Sequence, residues 1–385
     1  MKPATAESPT VATTRAAIHI QPYTEAWCEA VADFNRRVRP AKPPFELPTR
    51  PVPDWIPKTG DSKIYQEIFL AVEGDSVRGA YTFKHQEFCV GGRIMEVGMC
   101  PMPISEGIVD KRYSLVAPRL LSDATRKQPL LYGLGIGDLE APVTQFLFAL
   151  GWRLNRTVPF FFKVKNGSRF LRNIRYLRTS GFRRFLCGSA ACLGVGWAGA
   201  RIANALLTGD GHRSVSVETV SEFSPWADEI WLTCQHRYSM IGARDAGVLE
   251  TLYPHNDGRF IRLKVFDGQR VAGWSVLLDT AMRDHKHFGN MRVGSIVDCL
   301  ASPEDASHVI AAATTYLEER GVDLLVSNQS HPAWCKALRS AGFVAGPSNF
   351  YFVTSKELTK LLNEVDPTGA GFHLNRGDGE GPIHL

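Results

Sequence analysis

Hydrophobic and polar positions along the chain predict strands and helices that follow one another in a similar order twice. Short apolar or alternating runs predict strands, and apolar residues at helical spacing predict helices. The first half is predicted to contain strands at 16–21, 67–73, 77–90, 93–103 and 129–135, helices at 24–37, 113–126 and 141–150, and closing strands up to 164. The second half is predicted to contain strands at 214–219, 259–266, 270–279, 292–300, 323–327 and 348–354 and helices at 225–237, 244–252, 304–320 and 332–341.

Direct sequence similarity supports this repetition. FLAVEGDSVRGAYTF at 69–83 and IRLKVFDGQRVAGWS at 261–275 both consist of a strand, a polar turn and a second strand, which is the pattern of a β-hairpin. Three landmarks recur at offsets of 193, 194 and 191 residues, namely Val72 with Val265, Gly79 with Gly273, and Gly151 with Gly342. We therefore predict a tandem duplication of a unit of roughly 145 residues.

The order of elements predicts a mixed α/β fold. Each copy has an antiparallel meander followed by a helix, a strand and a helix, so we expect parallel pairing between its fourth and fifth strands. The predicted divisions are a disordered leader at 1–15, a first domain at 16–164, a helical linker at 165–212, a second domain at 213–358 and a C-terminal tail at 359–385. Residues 16–164 are called the first copy below, and residues 213–358 the second copy.

Composition excludes several classes of protein. Of the 385 residues, 44% are hydrophobic and 22% are charged, which is typical of a globular protein and not of a disordered one. A net charge of +5 is too small to indicate nucleic-acid binding. The eight cysteines form no CxxC pair, so we expect no metal site, and they are typical of buried thiols in a reducing compartment. The N-terminus lacks the apolar core of a signal peptide, and we expect a cytoplasmic protein.

Two features of the sequence resemble the GNAT superfamily (GCN5-related N-acetyltransferases). One is EVGMCPMPISEGIVDKRYSLVAPRLL at 96–121, and the other is the pair of helix ends at Leu-Gly-Trp152 and Ala-Gly-Phe343. The resemblance covers about 16–164 and 213–356, and it implies two tandem GNAT-like domains, each a mixed, mostly antiparallel twisted sheet flanked by helices. It also implies transfer of an acyl group, most simply acetyl, from acetyl-CoA to an amine.

The type of acceptor follows from a narrower resemblance. Tandem chains in the superfamily resemble mycothiol-synthase-like enzymes and polysaccharide-associated acetyltransferases, and the stretch at 238–254 is similar to the second group. This implies a small-molecule or saccharide amine, such as an amino sugar or a lipid-linked saccharide. Two other functions stay open: a non-catalytic acyl-CoA-binding or scaffold protein, and a Fem-like aminoacyl transferase that uses aminoacyl-tRNA.

In the GNAT pattern, a strand end pairs with pantetheine and the following helix N-terminus binds the pyrophosphate through its free N–H groups. In the first copy the resemblance assigns pantetheine to Gly107, Ile108 and Val109, and the pyrophosphate to Lys111, Arg112, Tyr113, Ser114 and Ala117. Leu115 stands where the family has glycine. The alternative is a basic helix N-terminus without a ligand. The matching loop of the second copy, 301–307, has two acidic residues and no cation, so we expect it to have lost CoA binding.

Candidate catalytic and substrate-binding residues lie at the ends of predicted strands. The candidate acids and bases are Asp298, Glu106 and His331, and the candidate substrate-binding residues are Asn328, Ser330 and Arg244. Asp298 stands within an apolar strand, where burial would raise its pKa unless it is paired. Each has a structural alternative: the carboxylates as partners of an arginine or backbone amide, and Ser330 as the cap of the helix at Pro332.

The segment between the copies combines positive charge with apolar residues. Six arginines lie within 169–184, and 185–200 is uncharged and rich in Gly and Ala. Sixteen residues are too few to span a bilayer, which takes about 20. We expect 169–207 to make a peripheral contact with the inner membrane face or with a lipid-linked substrate. The alternatives are a linker helix packed between the copies and a tRNA-binding stripe, although a nucleic-acid partner is not expected.

Overall fold

The computed structural model describes residues 17–43, 45–51, 62–100, 103–136, 139–140, 142–173, 215–285 and 287–379. The predicted leader at 1–15 lies outside the described residues, as does the predicted linker from 174 onward. The described helices of at least seven residues are α1 Cys28–Val38, α2 Val116–Lys127, α3 Pro142–Ala149, α4 Gly167–Asn173, α5 Pro225–Cys234, α6 Ala246–Leu252, α7 Ala306–Glu319, α8 Pro332–Ser340 and α9 Lys356–Val365.

The strands alternate with these helices in the predicted order. They are β1 His19–Pro22, β2 Ile64–Glu73, β3 Ser76–Val90, β4 Arg93–Met99, β5 Ile104–Ser105, β6 Leu131–Leu134, β7 Arg153–Thr157, β8 Phe160–Val164, β9 Val215–Val220, β10 Met240–Gly242, β11 Ile261–Asp267, β12 Arg270–Ala281, β13 Arg292–Ala301, β14 Leu324–Asn328, β15 Val344–Gly346, β16 Tyr351–Thr354 and β17 Phe372–His373. The strand predicted at 93–103 is shorter, because regular pairing ends at Met99.

Local sequence explains where several elements begin and turn. Pro225 and Pro332 occupy the first positions of α5 and α8, where a missing N–H costs nothing. Asp245 caps α6 by accepting a hydrogen bond from Val248 N. Gly74 and Gly268 have φ of +57° and +62° in the turns of the two similar hairpins, β2–β3 and β11–β12, where residues with a Cβ are disfavoured.

The described chain divides into two compact units, and β2 and β3 contribute residues to both. Unit one consists of residues up to Val52, Glu67–Thr82 and Pro103–Asp123. There β1 pairs antiparallel with β2, and β5 pairs antiparallel with β3. The core of unit one packs apolar residues of α1 against those of β2 and β3, among them Val31, Phe34, Val38, Leu70, Val72 and Val77.

Unit two consists of Pro53–Gln66, Phe83–Met102 and Ala124–Leu385. One group of strands in it is ordered β3, β4, β6, β16, β7, and β4 and β6 pair in parallel at Gly98–Leu131 and Met99–Tyr132. The other sheet is ordered β15, β8, β14, β13, β12, β11, β9, and β13 and β14 pair in parallel. The predicted parallel pairing of fourth and fifth strands is confirmed in both copies.

Each copy gives a strand to the sheet of the other. The strand β8 of the first copy pairs with β14 and β15, and the strand β16 of the second copy pairs with β6 and β7. The sequence grouped 160–164 and 351–354 each with its own copy, and the observed pairing differs from that grouping. Alternation of apolar residues indicates which face of a strand is buried, but it does not identify the neighbouring strand. The exchange of β8 and β16 between the copies therefore cannot be predicted from the hydrophobic pattern.

The predicted C-terminal tail at 359–385 is a second correction. Residues 356–365 form α9, and the residues called here the C-terminal segment, 372–379, contain β17 and a 3₁₀ turn at Arg376–Asp378. Phe372 and Leu374 are fully buried in a hydrophobic cluster of unit two together with Phe88, Tyr132 and Phe352. Among the described residues, no helix has both the length and the apolar character needed to cross a membrane.

Candidate functional site

Asp298 lies at the centre of a fully buried polar cluster in unit two. Its Oδ2 accepts hydrogen bonds from Arg244 Nε and Tyr253 OH, both at 2.7 Å. Its Oδ1 accepts from Asn375 Nδ2 at 2.6 Å and from Cys299 N at 2.8 Å. An ionised carboxylate has about four acceptor positions, so these four donors satisfy it completely. The contacts favour the structural alternative for this residue.

Arg244 connects two buried carboxylates. Besides Asp298, it donates from Nη2 to Asp378 Oδ1 at 2.7 Å, and both carboxylates have no exposed side-chain surface. Burial raises the pKa of Asp298, and the Arg244 guanidinium opposes part of this rise. Removing one partner from a buried pair leaves an uncompensated charge and costs about 3–5 kcal/mol. Arg244, predicted as a substrate-binding residue, is therefore fully occupied by protein carboxylates.

The C-terminal segment lies against the residues that follow β14 in the second copy. Parallel pairing of β13 with β14 ends at Ile296–Ser327, beyond which the two strands separate. Gln329 then forms a bridge with Asn375, and Ser330 N donates to Leu374 O at 3.0 Å. Ser330 Oγ donates to Phe372 O at 2.6 Å and accepts from Leu374 N at 2.8 Å. The backbone of the C-terminal segment is thus hydrogen-bonded to the residues that directly follow β14.

The remaining candidates of the second copy also make structural contacts. Asn328 Nδ2 donates to Pro159 O at 3.3 Å. The cap of α8 is His331 and not Ser330, because His331 Nδ1 accepts a hydrogen bond from Ala333 N at 3.2 Å. Burial, with a smaller contribution from Arg156, lowers the pKa of His331 from 6.5 to about 4. His331 is therefore neutral at pH 7 and is a weak base.

Glu106, in unit one, is held by two arginines. Its carboxylate accepts from Arg37 Nε at 3.0 Å and from Arg78 Nη1 at 2.9 Å, and its side chain is 7% exposed. Arg78 also donates to Glu73 at 3.0 Å and lies 4.5 Å from the ring centre of Tyr113. Tyr113, predicted to bind the cosubstrate, donates from its hydroxyl to Glu73 at 3.0 Å. This network holds Glu106, just before the predicted cosubstrate loop 107–117, and Tyr113, in the middle of it.

The predicted cosubstrate loop forms two short turns and not an extended strand. Residues 106–108 and 111–113 are 3₁₀ turns, and α2 begins at Val116, so Ala117 lies in its first turn. Gly107 and Ile108, assigned to pantetheine by the resemblance, therefore lie in a 3₁₀ turn and not in a strand. Gly107 is tightly packed, since an added Cβ would lie 2.9 Å from Tyr113 O.

Arg112 already has an anionic partner in this loop. Asp110 accepts from Arg112 N at 3.0 Å, and the Arg112 guanidinium approaches the same carboxylate to 2.6 Å. Lys111 and Ser114 are exposed. Three apolar side chains of the loop are exposed as well, Ile108 (47%), Val109 (43%) and Leu115 (66%). Unit one thus presents apolar side chains and a cation together at this loop.

The matching loop of the second copy is acidic and paired. Asp305 accepts from Arg270 at 2.7 Å, and Glu304 forms an ion pair with Arg237. These acids precede the N-terminus of α7, where they stabilise the helix dipole and would repel a phosphate.

Asn375 and Asp378 are site residues that the sequence analysis did not single out. The Asn375 side chain accepts from Gly377 N, and the Asp378 side chain accepts from Asn375 N at 2.9 Å, which is a capping box. The spacing Asn-x-x-Asp at 375–378 carries this signal in the sequence. It was missed because no periodic apolar run follows it.

Comparison with known proteins identifies the fold. No family model and no curated protein sequence matches the chain. Among solved structures, it is similar to a probable N-acyltransferase of unknown function from Enterococcus faecalis, with a TM-score of 0.51 and 9% identity over 90% of this chain and 74% of the other. It is also similar to a GCN5-related N-acetyltransferase from Anabaena variabilis, with a TM-score of 0.50 and 9% identity over 89% of this chain and 74% of the other. The chain has the GNAT fold.

Proposed function

We propose that the chain is an acyl-CoA-dependent N-acyltransferase, most simply an acetyltransferase, whose cosubstrate binds to the first copy. The observation that carries the assignment to one copy is the packing of the C-terminal segment in the second copy. There it is hydrogen-bonded to Ser330, just after β14, and to Asp298 on β13. The GNAT fold supports the reaction class. The acidic loop of the second copy also supports binding of the cosubstrate to the first copy, because acidic residues would repel a pyrophosphate.

The loop at 107–117 offers chemistry that suits a cosubstrate with an apolar arm and a charged end. Exposed Ile108, Val109 and Leu115 can cover apolar parts of the ligand, and Lys111 supplies a cation that can reach a phosphate. Arg112 can contribute only if the ligand competes with Asp110 for its guanidinium. Lys111 is therefore the principal charge that we assign to the pyrophosphate.

In the proposed reaction, the neutral amine attacks the thioester carbonyl. A carbon–nitrogen bond forms, the carbon–sulfur bond breaks, and the proton lost by the amine passes through water to the departing thiolate. The carboxylates of Glu106 and Asp298 already accept hydrogen bonds from arginines of the chain. Glu106 and His331 remain candidates for assisting the transfer, whereas we assign Asp298 a structural role. The acceptor that we propose is an amino sugar or a lipid-linked saccharide amine.

Two measurements on the purified chain separate the proposed function from its alternatives. Titration calorimetry with acetyl-CoA should show binding, and a panel of amines should give acceptor-dependent release of the CoA thiol. Binding without thiol release for every amine would favour a non-catalytic acyl-CoA-binding protein. Absence of acetyl-CoA binding, together with transfer from aminoacyl-tRNA, would favour the Fem-like alternative.

A further inference from the structure

An arginine lies beside the carboxyl end of β6 in unit two. Arg376 opens the 3₁₀ turn of the C-terminal segment, and its Cζ lies 5.9 Å from the ring centre of Phe350. The same turn is close to the last residue of β6, since a Cβ added to Gly379 would lie 3.4 Å from Phe350 and 3.7 Å from Leu134. Parallel pairing of β6 with β4 ends just before this point, at Met99–Tyr132. The carboxyl ends of parallel strands are common ligand positions in α/β proteins.

Among the residues that the structure describes, no acidic side chain forms an ion pair with Arg376. Its Nε is buried without a hydrogen-bond partner, and within the described ranges no carboxylate lies within 4.0 Å of its guanidinium. Burial alone lowers the pKa of Arg376 to about 10. Arg376 as a whole is partly exposed, whereas Arg244 is fully buried and has two carboxylate partners. A buried cation without a partner is costly, and an anion supplied by a ligand would offset that cost.

The backbone that carries Arg376 is fixed on both sides. Asn375 and Asp378 cap the turn, and Asp378 is held by Arg244. Lys84 Nζ donates to Asp378 O at 3.0 Å and to Gly379 O at 2.9 Å, and Tyr132 OH donates to Asp378 O at 2.6 Å. The turn is thus held in place before any ligand binds, which reduces the entropy lost on binding.

We propose that Arg376 is the receptor for an anionic group, a carboxylate or a phosphate, on the amine acceptor. The inference rests on the proposed function, and it narrows the acceptor class to amines that also carry a negative charge. A guanidinium presents two parallel N–H donors to such a group, so it recognises the geometry of the anion as well as its charge.

The test uses pairs of amines that differ only in the anion. L-Alanine is compared with L-alaninamide, and glucosamine 6-phosphate with glucosamine, each titrated into the full chain in the presence of CoA. We expect the anionic member of one pair to bind at least tenfold more tightly, equivalent to about 1.4 kcal/mol. The alanine pair reports a carboxylate receptor, and the glucosamine pair a phosphate receptor.

Three variants assign the preference to this side chain. Arg376→Gln should abolish it, and Arg376→Lys, which keeps the charge without the planar fork, should leave an intermediate preference. Arg153→Gln is the matched control, because Arg153 is an exposed arginine on β7 and should keep the full preference. If Arg376→Gln fails to fold in a thermal melt, Arg376→Lys decides.

Three outcomes would overturn the inference. The two members of each pair could bind equally, none of the probes could bind, or the preference for the anion could survive in Arg376→Gln. Acetyl-CoA is titrated into the same proteins to report separately on the proposed function. If acetyl-CoA binds but no anionic amine is preferred, the proposed role of Arg376 is wrong and the proposed function is unaffected. An anion preference without acetyl-CoA binding supports the receptor and counts against the acyltransferase.

Discussion

Asn375 donates from Nδ2 to Asp298 Oδ1 at 2.6 Å, and this hydrogen bond joins residues that are 77 positions apart. It ties the C-terminal segment to β13 at the place where β13 has separated from β14. The segment is therefore part of the core of unit two, and its polar residues complete a buried network.

The first prediction is that Asp298 contributes to stability. Asp298→Asn replaces one acceptor oxygen by an N–H donor that faces other donors, so we expect the free energy of unfolding to fall by about 1–3 kcal/mol. Activity should fall only in proportion to the folded fraction. Denaturant titration measures the first and thiol release the second. Asp33→Asn, in the exposed pair with Arg36, is the control and should change stability by less than about 1 kcal/mol. Lost turnover at unchanged stability would instead identify a catalytic carboxylate.

The second prediction concerns Gly377, which brings the C-terminal turn against Asp298. An added Cβ would lie 2.3 Å from Tyr253 Oη and 2.5 Å from Asp298 Oδ2, both of which are fixed by hydrogen bonds. Gly377→Ala should therefore cost about 1–3 kcal/mol of stability through overpacking. Gly258→Ala, at a glycine with nothing within 4 Å, should be nearly neutral. Equal effects of the two substitutions in denaturant titration would show that the turn is not packed as described.

Most of the helices and strands up to residue 354, and the parallel pairing in each copy, were predictable from the sequence, because they depend on local periodicity and turn residues. The exchange of β8 and β16 was not, since either copy offers a similar strand edge. The C-terminal segment was missed for a related reason. Its side chains Asn375, Arg376 and Asp378 are suited to solvent as well as to a buried network, and only long-range contacts distinguish the two.

Prediction of the candidate site from the sequence has the same limit. Asp298 was recognisable as a carboxylate within an apolar strand, but its partner Arg244 lies on another element, 54 positions away. The partner of Arg112 is only two residues away at Asp110, and the sequence analysis counted the arginine as available. A pattern of residue types identifies which groups are charged, whereas their pairing requires the fold.

The third prediction is a loss of stability at mildly acidic pH. The pKa of His331 is lowered to about 4 in the folded chain, whereas an unfolded histidine titrates near 6.5. The unfolded chain therefore binds more protons between these values, so stability is complete above about pH 6.5 and falls as the pH drops toward about 4. The contribution is on the order of 2 kcal/mol, given partial exposure.

The substitution His331→Asn tests this assignment, because asparagine is a good helix cap that does not titrate. Denaturation at pH 7 and pH 5 should show a smaller pH-dependent loss in this variant than in the wild type. His236→Asn, at an exposed histidine, is the control and should retain the wild-type loss. An identical loss in all three proteins would show that His331 does not contribute.

The fourth prediction is that residues 169–207 mediate contact with a membrane or a lipid-linked partner. A cation near an anionic bilayer contributes about 1 kcal/mol, so six arginines could outweigh the modest charge elsewhere. The protein should sediment with anionic vesicles at low salt, and binding should disappear when Arg172, Arg175, Arg178 and Arg183 become Gln. A wild-type protein that stays in the supernatant would identify the segment as an interdomain linker.

The central claim is that one acyl-CoA binds per chain, at the loop 107–117 of the first copy. Calorimetric titration of acetyl-CoA into the wild type and three variants tests it most directly. We predict a stoichiometry of about one, and affinity reduced at least tenfold, about 1.4 kcal/mol, in Lys111→Glu and Arg112→Glu. Arg237→Glu, which changes a cation beside the loop of the second copy, should leave the affinity unchanged. A stoichiometry of two, or unchanged affinity in both folded loop variants, would contradict the claim.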